Sequence, residues 1–268
     1  MQDWQAARAF ISNRGGIGAK IFASAEMPST QVPAKEAARK GEGHGAVFVT
    51  DHQTAGRGRR DRRWESPAGL DLTFSVILRP QIELRHLPIL GLAIANAVAR
   101  ALERIVGAGR AGLKWPNDVL IDERKLCGVI CETAGRGALL DFAVAGIGIN
   151  VNNTAGGLPR FDDGRPPATS LLIETGRTWA LPALLGSILN ELDDSTPQVE
   201  TESGRTDVLV EYRARCLTLG RRVRIVSEEG GFCGIATEIE DDGRIAVVEE
   251  GLKKVYDSVD IIHAKLDI

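Results

Sequence analysis

The densest cluster of chemically active residue types is a basic, glycine-containing segment from Gln53 to Trp64. Five arginines and one aspartate stand between residues 57 and 63, although the formal net charge of the whole chain is -3. Gly56 and Gly58 allow the backbone to approach a ligand closely, and the planar arginine fork matches phosphate oxygens in a bidentate manner. The pattern favours a loop that binds phosphate groups. Such runs also bind RNA nonspecifically or form a solvated face.

Two further polar clusters follow in the chain. The segment KWPND predicts a tight turn between two strands, with Lys114 and Asp118 at its edges. This is either a hairpin with polar ends or a site where Asp118 binds Mg²⁺ beside phosphate groups. Lys125 stands at the start of an apolar strand, where its ammonium reaches a carboxylate or phosphate over the sheet edge, unless it is an ordinary surface lysine.

Glycines alternate along a third segment, GIGINVN, which begins at Gly146. They leave one face of a strand bare, so that a flat ligand or a closely packed helix lies against it. The third glycine and the following helix of a dinucleotide-binding fingerprint are missing, which counts against an oxidoreductase. Ser29, Thr30 and Gln31 offer hydroxyls and an amide between a strand and a helix, where they bind a polar ligand or cap the helix.

Composition excludes several classes of protein. Hydrophobic residues at 43% and charged residues at 26% are values of a globular chain. The net charge gives no overall attraction to nucleic acid or anionic lipid. Four cysteines without C-x-x-C spacing make zinc improbable and favour a reducing compartment, and the N-terminus lacks a signal-peptide pattern. We therefore expect a cytoplasmic protein without membrane contact.

The elements that must position these residues alternate between strands and helices over most of the chain. The longest apolar stretch, residues 87–106, has helical spacing and internal charges, so it predicts a core helix. Residues 153–167 predict a loop rich in glycine and proline. The short β-branched segments before Gly220 predict a mixed sheet with packed helices. After Gly220, short segments separated by glycine-containing turns predict four strands in a small β-barrel. Strands are expected at residues 21–25, 46–50, 72–78, 112–115, 118–121, 126–132, 142–151, 221–226, 231–240, 244–250 and 253–259, and further helices at 33–40, from 180 onward and at 208–216.

Five motifs in this order, STQ, QTAGRGRR-x-R-x-W, KWPND, RKL-x-G-x-x-x-E and G-x-GINVN, closely resemble those of the biotin protein ligases. The resemblance covers residues 21–151 by motif and the tail more weakly. It implies an α+β fold with a catalytic domain at 1–217 and an SH3-like barrel at 218–268. It also implies that ATP and Mg²⁺ convert biotin to biotinyl-5′-AMP, and that biotin then passes to a lysine of a biotin carboxyl carrier domain.

The same resemblance assigns the site residues. Lys125, Arg57 and Arg59 become the catalytic groups, and Lys125 touches both the biotin carboxylate and the α-phosphate. Asp118 becomes the Mg²⁺ ligand. The biotin-binding set is Ser29, Thr30, Gln31, Gln53, Arg57, Gly58, Arg59, Lys125, Gly128 and Gly146. The ATP-binding set is Arg59, Arg60, Arg62, Trp64, Lys114, Asn117, Asp118, Lys125 and Asn150.

The sequence departs from the family pattern in three places. Asp61 stands where the family usually has glycine, Pro28 and Gln31 replace a common aspartate and asparagine, and the C-terminal segment lacks the usual ending. The first motif begins at Ser29, which leaves no room for an N-terminal DNA-binding domain, so we expect a ligase without DNA binding. The resemblance also implies a homodimer through sheet edges. The alternatives are lipoate or octanoate ligation on the same fold and a nucleic-acid-binding module.

Overall fold

A mixed sheet of seven strands, in the order β1-β2-β3-β7-β6-β5-β4, forms the centre of the molecule. The structure is a computed structural model, which describes residues 2–60, 62–227, 230–257 and 259–263. Strands β1 and β2 are parallel, and each of the other neighbouring pairs is antiparallel. The strands are β1 (Ile21–Met27), β2 (Val47–Gln53), β3 (Asp71–Leu78), β4 (Ala111–Lys114), β5 (Asp118–Ile121), β6 (Arg124–Arg136) and β7 (Leu139–Asn150).

Helices cover both faces of this sheet. All of β3 is buried, as expected for a strand with both faces covered. The long apolar helix α2 (Leu87–Val106) packs with α4 and α5 over the main core, and α1 packs on β3 and β7 over a smaller cluster around Phe48 and Phe142. The other helices are α1 (Gln31–Arg39), α3 (Leu171–Thr175), α4 (Leu181–Ser195) and α5 (Glu202–Arg215), with short 3₁₀ turns at Trp4–Phe10, Leu84–His86, Ala155–Gly157 and Thr196–Glu200.

A second, antiparallel sheet of five strands follows, in the order β11-β10-β9-β8-β12, which we call the C-terminal sheet. It fits the predicted SH3-like barrel. The expectation of four strands was wrong, because the chain turns back and pairs a fifth strand with β8. The strands are β8 (Arg222–Ser227), β9 (Gly230–Ile239), β10 (Ile245–Glu249), β11 (Leu252–Tyr256) and β12 (Asp260–His263).

Along the first 150 residues, the predicted strands and helices are present in the structure, although several of their bounds differ from the prediction. Helix α1 begins at Gln31, two residues before Pro33, because proline is also tolerated within the first helical turn. Strand β2 extends to Gln53, which brings that side chain into the sheet. Asp61, the unusual residue of the basic segment, lies outside the described residues. Among those described, the helices fall short of the length and apolar content needed to cross a membrane.

Candidate active site

The predicted site residues meet at one cavity of about 530 Å³, on the face of the seven-stranded sheet that α1 also covers. The lining includes all of them except Arg60. Arg60 instead has a φ of 51° and donates from Nη1 to the carbonyl of Val226, at 2.6 Å, on the C-terminal sheet. The predicted residues that line the cavity are Ser29, Thr30, Gln31, Gln53, Arg57, Gly58, Arg59, Arg62, Trp64, Lys114, Asn117, Asp118, Lys125, Gly128, Gly146 and Asn150.

One end of the cavity is neutral and polar, around the start of α1. The backbone amide of Thr30 donates to Oε1 of Gln53 at 2.8 Å, and the Thr30 hydroxyl lies 2.7 Å from that of Ser75. Gln31 donates from Nε2 to the carbonyl of Val144 at 3.2 Å, and its buried Oε1 has no hydrogen-bond partner among the described residues. Thr30 makes no side-chain capping bond. The hydroxyl and amide groups therefore face the cavity floor, where an unpaired acceptor is available to a ligand donor.

The alternating glycines form the floor of the cavity. In the sheet register Gly148 pairs with Gly128, and Gly146 pairs with Ser75 across β3. A Cβ on Gly148 would lie 2.5 Å from Cε2 of Trp64, and one on Gly146 would lie 3.0 Å from the amide of Gln31. The bare strand face predicted from the sequence thus accommodates an indole ring and an amide.

The basic segment turns back on itself above this floor. Arg57 and Arg63 form an antiparallel bridge, and the amide of Gly58 donates to the carbonyl of Arg62 at 2.7 Å. A Cβ on Gly56 would lie 2.3 Å from the carbonyl oxygen of Trp64, so glycine is required for the closure of the turn. The turn directs several guanidinium groups and one indole to the same cavity.

Lys125 and Asp118 form the ion pair at the centre of the site, with 2.6 Å between Nζ and Oδ1. Burial by itself would raise the pKa of Asp118, but Lys125, Lys114 and Arg59 outweigh it and hold that pKa below its ordinary value. The carboxylate is therefore ionised at neutral pH. The Lys125 ammonium also lies 5.8 Å from the centre of the Trp64 ring.

Lys114 extends from the same hairpin toward the C-terminal sheet. Its ammonium donates to the carbonyl of Ile261 at 2.5 Å. Burial, and then the positive charges of Lys125, Arg62 and Arg59, lower the pKa of Lys114 to about 8, against the opposing effect of Asp118. An anionic ligand would favour the charged form of this lysine.

The two predicted asparagines hold the main chain around the site. Asn117 donates from Nδ2 to the carbonyl of Val129, and its Oδ1 accepts from Arg59 at 3.5 Å. Asn150 donates from Nδ2 to the carbonyl of Thr169 at 2.9 Å. Both amides connect strands to loops at the rim of the cavity.

The sequence analysis missed two parts of the lining. The first is the loop of residues 154–168, which contributes Phe161, Asp163 and Arg165 among others. Its length is unusual for a connection within a compact domain, where long loops are either functional or disordered linkers, and this was the one signal in the sequence that pointed to it. The second is the C-terminal sheet, which contributes Val226, Ile261 and Ile262 through contacts that no local pattern encodes.

Asp118 is the one carboxylate in the set predicted to bind a metal ion. Among the described residues, no group of three or more His, Cys, Asp or Glu side chains is placed to hold a metal. The cavity lining also includes the carboxylates of Glu65 and Asp163, and Asp118 is the one that would hold Mg²⁺ brought by a nucleotide, because such ions are bound through one or two carboxylates. The donor set is consistent with metal bound as part of MgATP.

Comparisons with known proteins identify the family to which this chain belongs. A family model described as "Biotin/lipoate A/B protein ligase family" matches residues 26–150. The chain is 35% identical to the bifunctional ligase/repressor BirA of Bacillus subtilis, over 88% of this chain and 71% of that protein. It is 32% identical to the biotin--[acetyl-CoA-carboxylase] ligase of Mycobacterium tuberculosis, over 82% of this chain and 80% of that protein.

A solved structure extends the likeness to the whole fold. The biotin protein ligase from Aquifex aeolicus, in complex with biotin and ATP, superposes with a TM-score of 0.74 at 27% identity. The alignment covers 91% of this chain and 99% of that one. The fold and the cavity define a ligase of the biotin and lipoate type. The chain belongs to the biotin/lipoate protein ligase family and, within it, to the biotin protein ligases.

Proposed function

We propose that this chain activates biotin with MgATP to give biotinyl-5′-AMP and then transfers biotin to a lysine of a biotin carboxyl carrier domain. The observation that carries the proposal is the cavity where the Lys125–Asp118 pair lies between a glycine floor and the basic segment. Neutral polar groups at one end suit the ring and tail of biotin, and cations at the other end suit a triphosphate.

In the first half-reaction, a biotin carboxylate oxygen attacks the α-phosphorus of ATP and pyrophosphate leaves. Lys125 neutralises both the attacking carboxylate and the α-phosphate, which would otherwise repel each other. Arg57 and Arg59 stabilise the charge that develops on the phosphoryl oxygens, and Asp118 orients Lys125 through their ion pair. Asp118 would hold Mg²⁺ bound to ATP, and the metal would neutralise part of the triphosphate charge. Most of the rate enhancement then comes from positioning and electrostatics.

In the second half-reaction, the ε-amine of the carrier lysine attacks the acyl carbon of the mixed anhydride and AMP leaves. This step needs no nucleophile from the enzyme. Cys127 lies on the same strand as Lys125, but its thiol is fully buried, and burial raises its pKa well above the ordinary value. A thiol held in the neutral form does not serve as an acyl acceptor.

The test is ATP-dependent biotin transfer to a carrier domain, with wild type, Lys125→Ala and Lys20→Ala compared. Lys20 is an exposed lysine paired with Glu42, so Lys20→Ala should match wild type. We expect Lys125→Ala to form biotinyl-5′-AMP at least about 100-fold more slowly, because one fixed charge at a reacting centre contributes that much. Wild-type rates in Lys125→Ala would refute the mechanism. Transfer of lipoate or octanoate in place of biotin would favour the alternative ligase.

The assembly and location of the enzyme are further proposals. Four free thiols support a cytoplasmic location. Strand β1 is an edge of the seven-stranded sheet, which supports a homodimer through that edge, and sedimentation velocity tests it. The net charge of -3 supports the absence of DNA binding. A domain boundary between residues 217 and 218 accords with the start of the C-terminal sheet at Arg222.

A further inference from the structure

Ser75 is a fully buried serine in the middle of β3, outside the five motifs of the sequence. It pairs with Phe48 of β2 and with Gly146 of β7, so its side chain lies on the face of the sheet that carries the glycine floor. Ser75 does not belong to the cavity lining. Buried hydroxyls require hydrogen-bond partners, and this one lies 2.7 Å from the hydroxyl of Thr30. That bond connects β3 to the neutral end of the cavity.

Thr30 directs two donors to one atom of Gln53. Its backbone amide donates to Oε1 at 2.8 Å, and its hydroxyl donates to the same atom at 3.3 Å. An amide nitrogen only donates, so a flipped Gln53 would set Nε2 against a backbone N–H. The two bonds therefore fix the amide with its oxygen toward α1. Nε2 points to the basic segment, where a Cβ on Gly56 would lie 3.1 Å from it.

The single proton of the Thr30 hydroxyl makes this arrangement depend on Ser75. While that proton is donated to Gln53, the bond between the two hydroxyls needs the proton of the serine. The hydrogen bonds then run in one direction, from Ser75 to Thr30 to Gln53, and each polarises the next. Thr30 stands at the N-cap of α1 but makes no side-chain capping bond, so its hydroxyl is available for these two partners.

We propose that Ser75 is a positioning residue, which acts through Thr30 to hold the Gln53 amide with its N–H donors toward the cavity. The assignment rests on the proposed ligase function, in which the neutral end of the cavity binds the ring of biotin. A cyclic urea presents a carbonyl that accepts from such a donor, whereas the dithiolane of lipoate and the chain of octanoate lack this group. A site built to hydrogen-bond its ligand discriminates against ligands without the matching group, so Ser75 contributes to the choice of acid without touching it.

The first test is biotin-dependent exchange of pyrophosphate into ATP, with each substrate varied while the other saturates. We expect the KM for biotin to rise about threefold to tenfold in Ser75→Ala, the effect of losing one neutral hydrogen bond. We expect the KM for MgATP and kcat to stay at their wild-type values, because the basic segment keeps its own contacts. A general loss of packing would change all three. A wild-type KM for biotin in Ser75→Ala, or an equal rise in both KM values, overturns the assignment.

Ser24→Ala is the matched control. It also removes a serine hydroxyl from a strand of the same sheet, where the hydroxyl donates to the carbonyl of Glu26 at 2.8 Å. We expect wild-type values of both KM and of kcat in this variant.

A double-mutant cycle shows whether Ser75 acts through Thr30. Thr30→Val removes the hydroxyl that receives the bond from Ser75 and should itself raise the KM for biotin. If the effect of Ser75 passes through that hydroxyl, adding Ser75→Ala to Thr30→Val should leave the KM for biotin unchanged. Additive effects of the two substitutions overturn the assignment, because they indicate independent routes to the site.

The rigidity of the Gln53 amide is measurable without substrate. The ¹⁵N relaxation of Nε2, with its signals identified by their absence in Gln53→Ala, gives an order parameter for this group. We expect that order parameter to fall in Ser75→Ala and in Thr30→Val and to keep its wild-type value in Ser24→Ala. If it falls as expected while biotin-dependent exchange is absent in wild type, the ligase proposal fails and the positioning role stands. An unchanged order parameter in Ser75→Ala overturns the positioning role, whichever acid the protein activates.

Discussion

At the scale of single residues, Asp71 is a buried acid below the cavity rim. It is 1% exposed and stands at the start of β3, opposite Asn150 in the sheet register. One carboxylate oxygen accepts from the amide of Val151 at 3.3 Å and from the side chain of Asn153, while the other has no partner among the described residues. Burial outweighs these two hydrogen bonds and raises the pKa of Asp71 to about 7.

Asp71 should therefore make the stability of the protein fall as the pH rises. The folded-state pKa is above the unfolded value, so the neutral form stabilises the fold fully below about pH 4, and this contribution is lost as the pH rises through about 7. The shift corresponds to roughly 4 kcal/mol at about 1.4 kcal/mol per pKa unit. We expect Asp71→Asn, which stays neutral, to gain unfolding free energy relative to wild type between pH 5 and pH 8.

Urea denaturation of both proteins across this pH range measures the difference. Asp207→Asn is the matched control, because Asp207 is exposed on α5 and the same change there should leave the pH dependence as in wild type. If the stability of Asp71→Asn follows that of wild type at every pH, Asp71 does not titrate in this range.

At the scale of elements, the glycine pattern of β7 allows Trp64 to lie on the sheet. An added Cβ at Gly148 would lie 2.5 Å from the indole, so Gly148→Ala must displace the ring. Overpacking of this kind costs about 1–3 kcal/mol. We expect Gly148→Ala to bind biotin and MgATP at least about tenfold more weakly, since about 1.4 kcal/mol corresponds to a factor of ten in affinity.

Titration calorimetry with biotin, in the presence and absence of a nonhydrolysable ATP analogue, checks this expectation. Gly156→Ala serves as the control, because nothing lies within 4 Å of the added Cβ in that loop position. Unchanged affinity in Gly148→Ala would mean that the indole leaves this position when ligands bind.

Sequence patterns predicted those elements whose formation depends on local chemistry. Helix α2 has the predicted bounds because its apolar residues recur at helical spacing between Leu87 and Val106. The role of the loop at residues 154–168 in the cavity escaped prediction, since it depends on main-chain bonds to Lys125 from a distant segment. Strand β12 escaped because its pairing with β8 joins residues more than thirty positions apart.

At the scale of the whole molecule, the C-terminal sheet forms one wall of the cavity. Lys114 donates to the carbonyl of Ile261, and Arg59 lies 3.4 Å from that of Val259. The five sequence motifs predict the groups expected to react. They do not predict this wall, because it forms only when the two sheets pack together. The hairpin that bears Lys114 and Asp118 belongs to the seven-stranded sheet and contacts the C-terminal sheet through Lys114.

Thr218 connects that hairpin to β12. Its hydroxyl accepts from the amide of Trp115 at 3.0 Å and lies 3.1 Å from Nε2 of His263. Burial, and next the charges of Lys114 and Arg221, lower the pKa of His263 to about 4, so the imidazole is neutral at pH 7. The hydroxyl accepts from the Trp115 amide and forms a second hydrogen bond with Nε2 of His263, whose direction is set by the tautomer of the imidazole. One fully buried hydroxyl thus satisfies groups on both sheets.

Thr218→Val preserves the shape of the side chain and removes both hydrogen bonds. It leaves a buried amide and an imidazole nitrogen unpaired, at a cost of about 1–3 kcal/mol for each group. We expect a loss of at least about 2 kcal/mol of unfolding free energy and faster hydrogen exchange in residues 259–263. Thr218→Ser retains the hydroxyl and should keep wild-type exchange in this segment. If Thr218→Val and Thr218→Ser exchange equally, packing alone holds β12 against the hairpin, and the hydroxyl does not couple the wall of the cavity to its reacting centre.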